Sequence, residues 1–392
     1  MRHIVFLWVV LFSGLVSAKD FTLTLNAGKL ERDNLPVTFS LTPDKAYANP
    51  VVRLFDGDRE LPIQWKQEGS TFACALLLEH LGVGETKTFR VTLDESQEKT
   101  ANPAFHWSGS ALFYGGNLEL EIKNQPYNPK NRADNFKVFH HVYLNGKRLT
   151  KGPGGLYPHH RGLFFGFNKI SYGENGHVDI WHCSGDTHQR FEKFLTRDAG
   201  DIFARETSLL SWNRNVSETF ATEERTLTVW RSCADGFFVD FSTSLKPTDW
   251  DLRLDGDPQH AGFHFRADQE VAEKTAKETL YLRPWGTGQP GETVNWKGVP
   301  EQTTNQTWKA CSFVLDGKRY SVVYLTSPAN PGETRWSERN YGRFGHYFEY
   351  DLKKGSELRL NYRLWIQPGL VRREFCESLY QNFNQPVEVS VR

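Results

Sequence analysis

The sequence is short of several things that would settle its chemistry at once. The only methionine is Met1, so no thioether ligand or Met-rich surface is available. No CxxC pair occurs among the five cysteines (Cys74, Cys183, Cys233, Cys311, Cys376), which excludes a zinc ribbon and a vicinal redox pair. There is no HExxH and no GxSxG, so neither the helical zinc-protease arrangement nor a serine nucleophile elbow is encoded. Neither sign of charge dominates: 47 Lys and Arg balance 47 Asp and Glu, and no basic stripe marks a nucleic-acid partner. After the first residues no apolar run approaches the roughly 20 residues that a membrane span needs. Helical periodicity is also scarce.

The one apolar run stands at the start. Residues 1–18, MRHIVFLWVVLFSGLVSA, combine a basic start, an apolar centre and small residues before Lys19, the pattern of a secretory signal peptide. The expected location is periplasmic or secreted. In an oxidising compartment the widely spread cysteines allow one or two disulfides and leave at least one thiol over.

Alternation with period two is the dominant pattern. Phe21, Leu23 and Leu25 alternate with polar residues, as do Phe237, Val239 and Phe241, and Leu358, Leu360, Tyr362, Leu364 and Ile366. Asn145-Gly146, Asp235-Gly236 and Asp316-Gly317 punctuate the runs as hairpin turns. The spacing of Val371, Phe375 and Leu379 predicts a helix over 370–382, and a weaker pattern covers 268–279. The expectation is an all-β protein. A small β-sandwich over 19–100 precedes a large antiparallel β-sandwich over 101–392, with a boundary in the polar stretch 93–103.

Four segments concentrate reactive side chains. In GLYPHHRGLFFG, His159, His160 and Arg161 stand between Pro158 and Gly162 at the entry to an apolar run, where an extended chain turns His159 and Arg161 one way and His160 the other. In Asp179-Ile180-Trp181-His182 an extended chain puts Asp179 and Trp181 on one face and His182 on the other. In His260-Ala261-Gly262-Phe263-His264-Phe265-Arg266 alternation sends the phenylalanines inward and lines the opposite face with His260, His264 and Arg266. The fourth segment, 338–346, carries Glu338, Arg339, Tyr341, Arg343 and His346. Each has an ordinary explanation as a loop anchor. Together, on strands of one sheet system, they predict a shared polar cleft.

The order of these motifs resembles a known family. His159-His160-Arg161-Gly162-Leu163, then Asn175-Gly176 with Asp179-Ile180-Trp181, then Pro328-Ala329-Asn330-Pro331, Trp336 and Arg339-Asn340-Tyr341-Gly342, is similar to the PmoA-like family of secreted bacterial proteins, over about Phe105 to Gly369. The resemblance implies partners of polysaccharide utilisation and a large sandwich (a supersandwich) like that of mutarotases and polysaccharide lyases.

Imidazole, phenol and guanidinium without an evident carboxylate pair fit proton abstraction beside a sugar carboxylate. The expected activity is lyase-type β-elimination on an acidic, uronate-containing poly- or oligosaccharide. His160, His264 and Tyr341 are its candidate catalytic residues. His159, Arg161, Trp181, His260, Arg339 and Arg343 are its candidate substrate contacts. Glycoside hydrolysis, with Asp179 and Glu338 as first candidate carboxylates, sugar epimerase or mutarotase action, and non-catalytic glycan binding remain as alternatives. No cofactor is called for, although His260 and His264, completed by His159, His160 or Asp179, have workable spacing for a divalent metal.

Overall fold

The computed structural model describes residues 19–95, 103–174, 176–231 and 236–392. The expected signal peptide, Asn175, Cys233 and Asp235 therefore lie outside the described residues. Among the described residues strand makes up 57% and helix 9%, which places the protein in the all-β class. Two antiparallel sheets form the large sandwich. One has nine strands, running from His188–Ala199 through the central Phe237–Pro247 and Leu358–Pro368 to Gly286–Thr287. The other has ten, with Arg335–Arg339, Arg343–Tyr347, Ala261–Arg266, Leu163–Phe167 and Phe139–Leu144 as consecutive neighbours. Between them lies an aromatic core that includes Phe165, Phe167, Trp212, Phe241, Phe263, Phe265, Tyr324, Phe344 and Tyr362. The alternation seen in the sequence follows from this burial on one face.

A smaller sandwich packs a five-stranded sheet on a three-stranded one around Phe21, Leu23, Leu25, Val37, Leu54 and Phe72. Its outermost strand, Glu388–Val391, comes from the far end of the chain and pairs with Lys19–Asn26. A third apolar cluster, with Ile202, Trp230, Trp308, Trp365, Cys376 and Leu379, ties the helix Arg373–Asn384 to the nine-stranded sheet. That helix begins three residues later than the spacing predicts, because Arg372 is extended. The 268–279 pattern becomes two short helical turns, Val271–Thr275 and Ala276–Glu278. Asn145-Gly146 and Asp316-Gly317 both take positive φ, as hairpin turns require. Cys74, Cys183, Cys311 and Cys376 are free and buried, so no disulfide joins the described residues. No helix among the described residues is long and apolar enough to cross a membrane.

Glycine decides the shape of the ten-stranded sheet. In its register Gly166 faces Gly262, and His264 faces Gly345. A Cβ on Gly345 would stand 2.5 Å from the His264 ring, and one on Gly166 would stand 3.1 Å from the Ile180 side chain. The outer face of these central strands is thus bare enough for other residues to lie directly on it. Gly262 is the most constrained: its φ is +89° and a Cβ would come within 1.9 Å of the His346 carbonyl oxygen. Gly262→Ala is expected to cost at least about 3 kcal/mol in urea unfolding or to abolish soluble protein. Gly57→Ala, also at positive φ but with open space around it, is expected to cost only about 1 kcal/mol.

Several strand histidines are held neutral by burial. Desolvation lowers His141 and His346 to about 3 and also lowers His140. An unfolded chain, with imidazoles near 6.5, binds more protons than the folded one between about pH 3 and 6.5. Stability is therefore complete above about pH 7 and is lost as pH falls below 6.5, by up to about 1.4 kcal/mol per pH unit for each buried ring. The urea midpoint is expected to fall steadily between pH 6.5 and 4.5. A flat profile over that range would contradict neutral burial of these rings.

Candidate functional site

The site begins with two turns of the same form. Residues 179–182 are a turn rather than the predicted strand. Asp179 accepts from the His182 backbone N–H at 2.7 Å and from His182 Nδ1 at 2.7 Å. Asp257 repeats the device three residues before His260: its carboxylate accepts from His260 Nδ1 at 3.0 Å, from the Gln259 N–H and from Asn168 Nδ2. Burial acts to raise Asp257, but the His260 ring and these donors outweigh it and hold the carboxyl well below the usual range. In both turns the carboxylate takes the Nδ1 proton, so Nε2 is left with a lone pair.

The third piece is the 155–162 loop. The strand begins only at Leu163, so 159–161 do not alternate as an extended chain would. Tyr157 takes a φ of +53°, its carbonyl accepts from the His160 N–H at 3.1 Å, and the chain folds back across the sheet. Lys137 anchors the fold: its ammonium donates to the His159 carbonyl at 2.6 Å and stacks on Phe164 at 4.1 Å. Burial pushes that ammonium down to about 7. Gly162 allows the approach, since a Cβ there would overlap the His140 carbonyl oxygen at 2.2 Å.

Four imidazoles meet where these pieces close. His159 lies 4.6 Å from His182 and 5.4 Å from His260, ring centre to ring centre, and His182 lies 4.7 Å from His260. His160 lies 4.3 Å from His159 and stacks on His260 at 5.3 Å. Tyr157 and Tyr341 pack together at 5.0 Å beside them, with Tyr341 6.4 Å from His160. Burial, followed by the neighbouring His182 and Lys137, lowers His159 to about 3, and burial followed by Arg343 holds His160 well below its ordinary value. Both rings are neutral bases at pH 7. His159 Nε2 and His160 Nδ1 are buried without a hydrogen-bond partner. One ring nitrogen from each of His159, His160 and His260 lies within 4.8 Å of the others, a spacing open to a metal ion.

Several predicted site residues lie elsewhere. His264 is 2% exposed beneath Trp181, donates from Nε2 to the Ala261 carbonyl at 2.9 Å, and belongs to the sheet surface rather than to the cleft. Trp181 itself is 1% exposed, so it underlies His160 instead of offering a face for stacking. Arg161 turns away to the carbonyls of Pro158 and Ala133 and lies over Phe136. Arg343 is fully buried and donates to the Ser337 hydroxyl at 3.1 Å. Glu338 is buried between Arg283 and Lys309 and is a structural ion pair, not a free carboxylate. Of the three arginines, Arg339 alone is half-buried beside Tyr157 and Tyr341 with no hydrogen bond from its guanidinium to another described residue. A metal set built on His264 is replaced by one built on His159, His160 and His260.

His182, Asp257, Tyr157 and Lys137 carry parts of the site that alternation did not assign. The legible signal was the repeated Asp-x-x-His of Asp179–His182 and Asp257–His260, whose span of three suits a turn rather than a strand. Beside His260 and Asp257 opens a hollow of about 320 Å³ lined also by Lys169, Gln259, Asn295 and Lys297. A larger hollow of about 810 Å³, between the two sandwiches, is lined by Gln64, Trp65, Lys66, Asp198 and Arg205 and contains no imidazole. The smaller one adjoins the chemistry.

Two solved structures resemble the whole chain at 10% identity and a TM-score of 0.48. They are an alpha-mannosidase from Enterococcus faecalis V583 and a glycosyl hydrolase family 38 protein from Enterococcus faecalis. Each alignment covers 95% of this chain but only 46% and 47% of theirs, so the chain spans about half their length. No curated protein matches. The expected PmoA-like membership is corrected, because the family that matches is DUF6807, described as a family of unknown function, over residues 120–381. That match takes in about two thirds of the sequence and every imidazole of the site, and the chain belongs to the DUF6807 family.

Proposed function

We propose that this protein is a carbohydrate-active enzyme, acting outside the cytoplasm, that uses its clustered imidazoles for acid–base chemistry of the epimerase or mutarotase kind. The observation that carries the reading is the meeting of His182 and His260 at 4.7 Å, each with its own carboxylate on Nδ1. An imidazole held in this way keeps Nε2 as a base and gains stability as a cation when it takes a proton. In the proposed reaction His260 removes a proton from a sugar hydroxyl or ring carbon at the mouth of the hollow beside it. Tyr341 or Tyr157 returns a proton on the other side of the substrate. Arg339, a cation that acts on both phenols, would stabilise oxyanion charge.

The β-elimination expected from the sequence loses its support in the geometry. It requires a guanidinium fork on the sugar carboxylate, and Arg161 and Arg343 are committed to protein oxygens behind the site. Two-carboxylate hydrolysis is supported less well than proton shuttling, since Asp179 and Asp257 are each bonded to a histidine and Glu338 to Arg283 and Lys309.

Anomer exchange and epimerisation, followed by NMR on a panel of neutral and acidic mono- and oligosaccharides, test this reading. His260→Ala is expected to lower kcat by about 10²–10⁴-fold with the fold intact by circular dichroism. Asp257→Asn is expected to lower it less while moving the acid limb of the pH profile. New ultraviolet absorbance from unsaturated sugar ends would reinstate the lyase. Release of reducing ends would select a hydrolase. Binding without turnover of any sugar, unchanged in His260→Ala, would overturn the enzyme reading.

A further inference from the structure

We infer that His159, His160 and His260 form a three-imidazole site for a divalent cation of the zinc class, with His182 at its rim. The first ground is spacing: one nitrogen of each ring lies within 4.8 Å of the other two. In a tetrahedral site with bonds of about 2.0–2.1 Å the ligand nitrogens stand about 3.4 Å apart. Small rotations of the half-buried His159 and His260 close that difference, while His160, 3% exposed, stays fixed. The second ground is independent. His159 Nε2 and His160 Nδ1 are buried polar atoms with no partner in the protein, an arrangement that costs stability unless something fills the place between them.

The surroundings suit a metal better than a water alone. Ligating imidazoles ordinarily give their other N–H to a carboxylate, which fixes the ring and strengthens the lone pair. Asp257 does this for His260 and Asp179 does it for His182. These carboxylates also place negative charge one shell out from a 2+ ion, whose site the Arg343 and Lys137 cations border. All-nitrogen, uncharged ligation favours zinc and its first-row neighbours over calcium or magnesium, which prefer oxygen. Three protein ligands leave a position open to water, to a sugar hydroxyl or to His182. The cluster Glu31, Asp33 and His80 also has ligand spacing, but all three are exposed and Asp33 is bonded to His80, so it serves as a control.

Binding of the ion does not rest on the function proposed above, but its use in catalysis does; with the ion bound, the His260 Nε2 lone pair is committed to it, and His182, with Asp179 on its own Nδ1, takes over as the base. Calorimetric titration of the chelator-treated protein with Zn²⁺, without sugar, is expected to show one saturable equivalent. His260→Gln, at a half-exposed position, is expected to weaken that binding at least about 100-fold, and Asp257→Asn about 10–100-fold. His80→Ala should leave it unchanged. Co²⁺ in place of Zn²⁺ should give the intense visible bands of a low-coordinate nitrogen site, lost in His260→Gln. Circular dichroism of each variant separates loss of ligand from loss of fold. Absence of a saturable equivalent, or one that survives His260→Gln and disappears with His80→Ala, would overturn the inference. Sugar turnover by the metal-free protein would remove the ion from the reaction while leaving the proposed function standing. Zn²⁺ binding without turnover would do the reverse.

Discussion

The contact on which the site depends is the close approach of the 179–183 turn to a sheet face stripped of side chains. Ile180 packs where Gly166 has no Cβ, its N–H donates to the Phe167 carbonyl at 2.9 Å, and the His264 ring lies against Gly345. With any larger residue at these glycines Trp181 could not settle over His264, and the turn that carries His182 would be lifted away. The packing also explains why a histidine and a tryptophan that look reactive in the sequence are buried. They are the foundation on which the accessible rings stand.

Electrostatics divides the polar residues into two groups. Arg161, Arg343, Arg283, Lys309 and Glu338 are buried and bonded to protein oxygens or to one another. They brace loops and strands, and removing one partner would strand a charge in the interior. The imidazoles at the loop junction are kept neutral by burial and by nearby cations, and some of their nitrogens have no protein partner. Neutral ring nitrogens gathered from several segments, with carboxylates behind two of the rings, distinguish a place for a ligand from the network of paired charges beneath it.

Particular residues show how far the chain could be read. The strands around Phe21, Phe237 and Leu358 were legible because one-sided burial imposes a period of two. Motifs on strands of one sheet system predict a cleft shared by His159, His160 and His260, but not the partners of these rings. Strand geometry puts Asp179 and His182 on opposite faces, whereas a turn with span three joins them. Alternation groups His264 with His260. The strand begins after His260, so the two rings lie in different environments.

By itself the sequence determined the all-β class, the hairpin turns at Asn145-Gly146 and Asp316-Gly317, and the concentration of imidazole near Pro158 and Gly262. These are local consequences of side-chain periodicity and backbone freedom. Only the tertiary structure decided which rings meet, which arginines are struts and which histidines have a carboxylate behind them. Those outcomes rest on contacts between segments about 100 residues apart, closed by glycine positions whose role appears only once the sheet is assembled. Local pattern carries no information about such distances, so the chemistry of the site was set by packing.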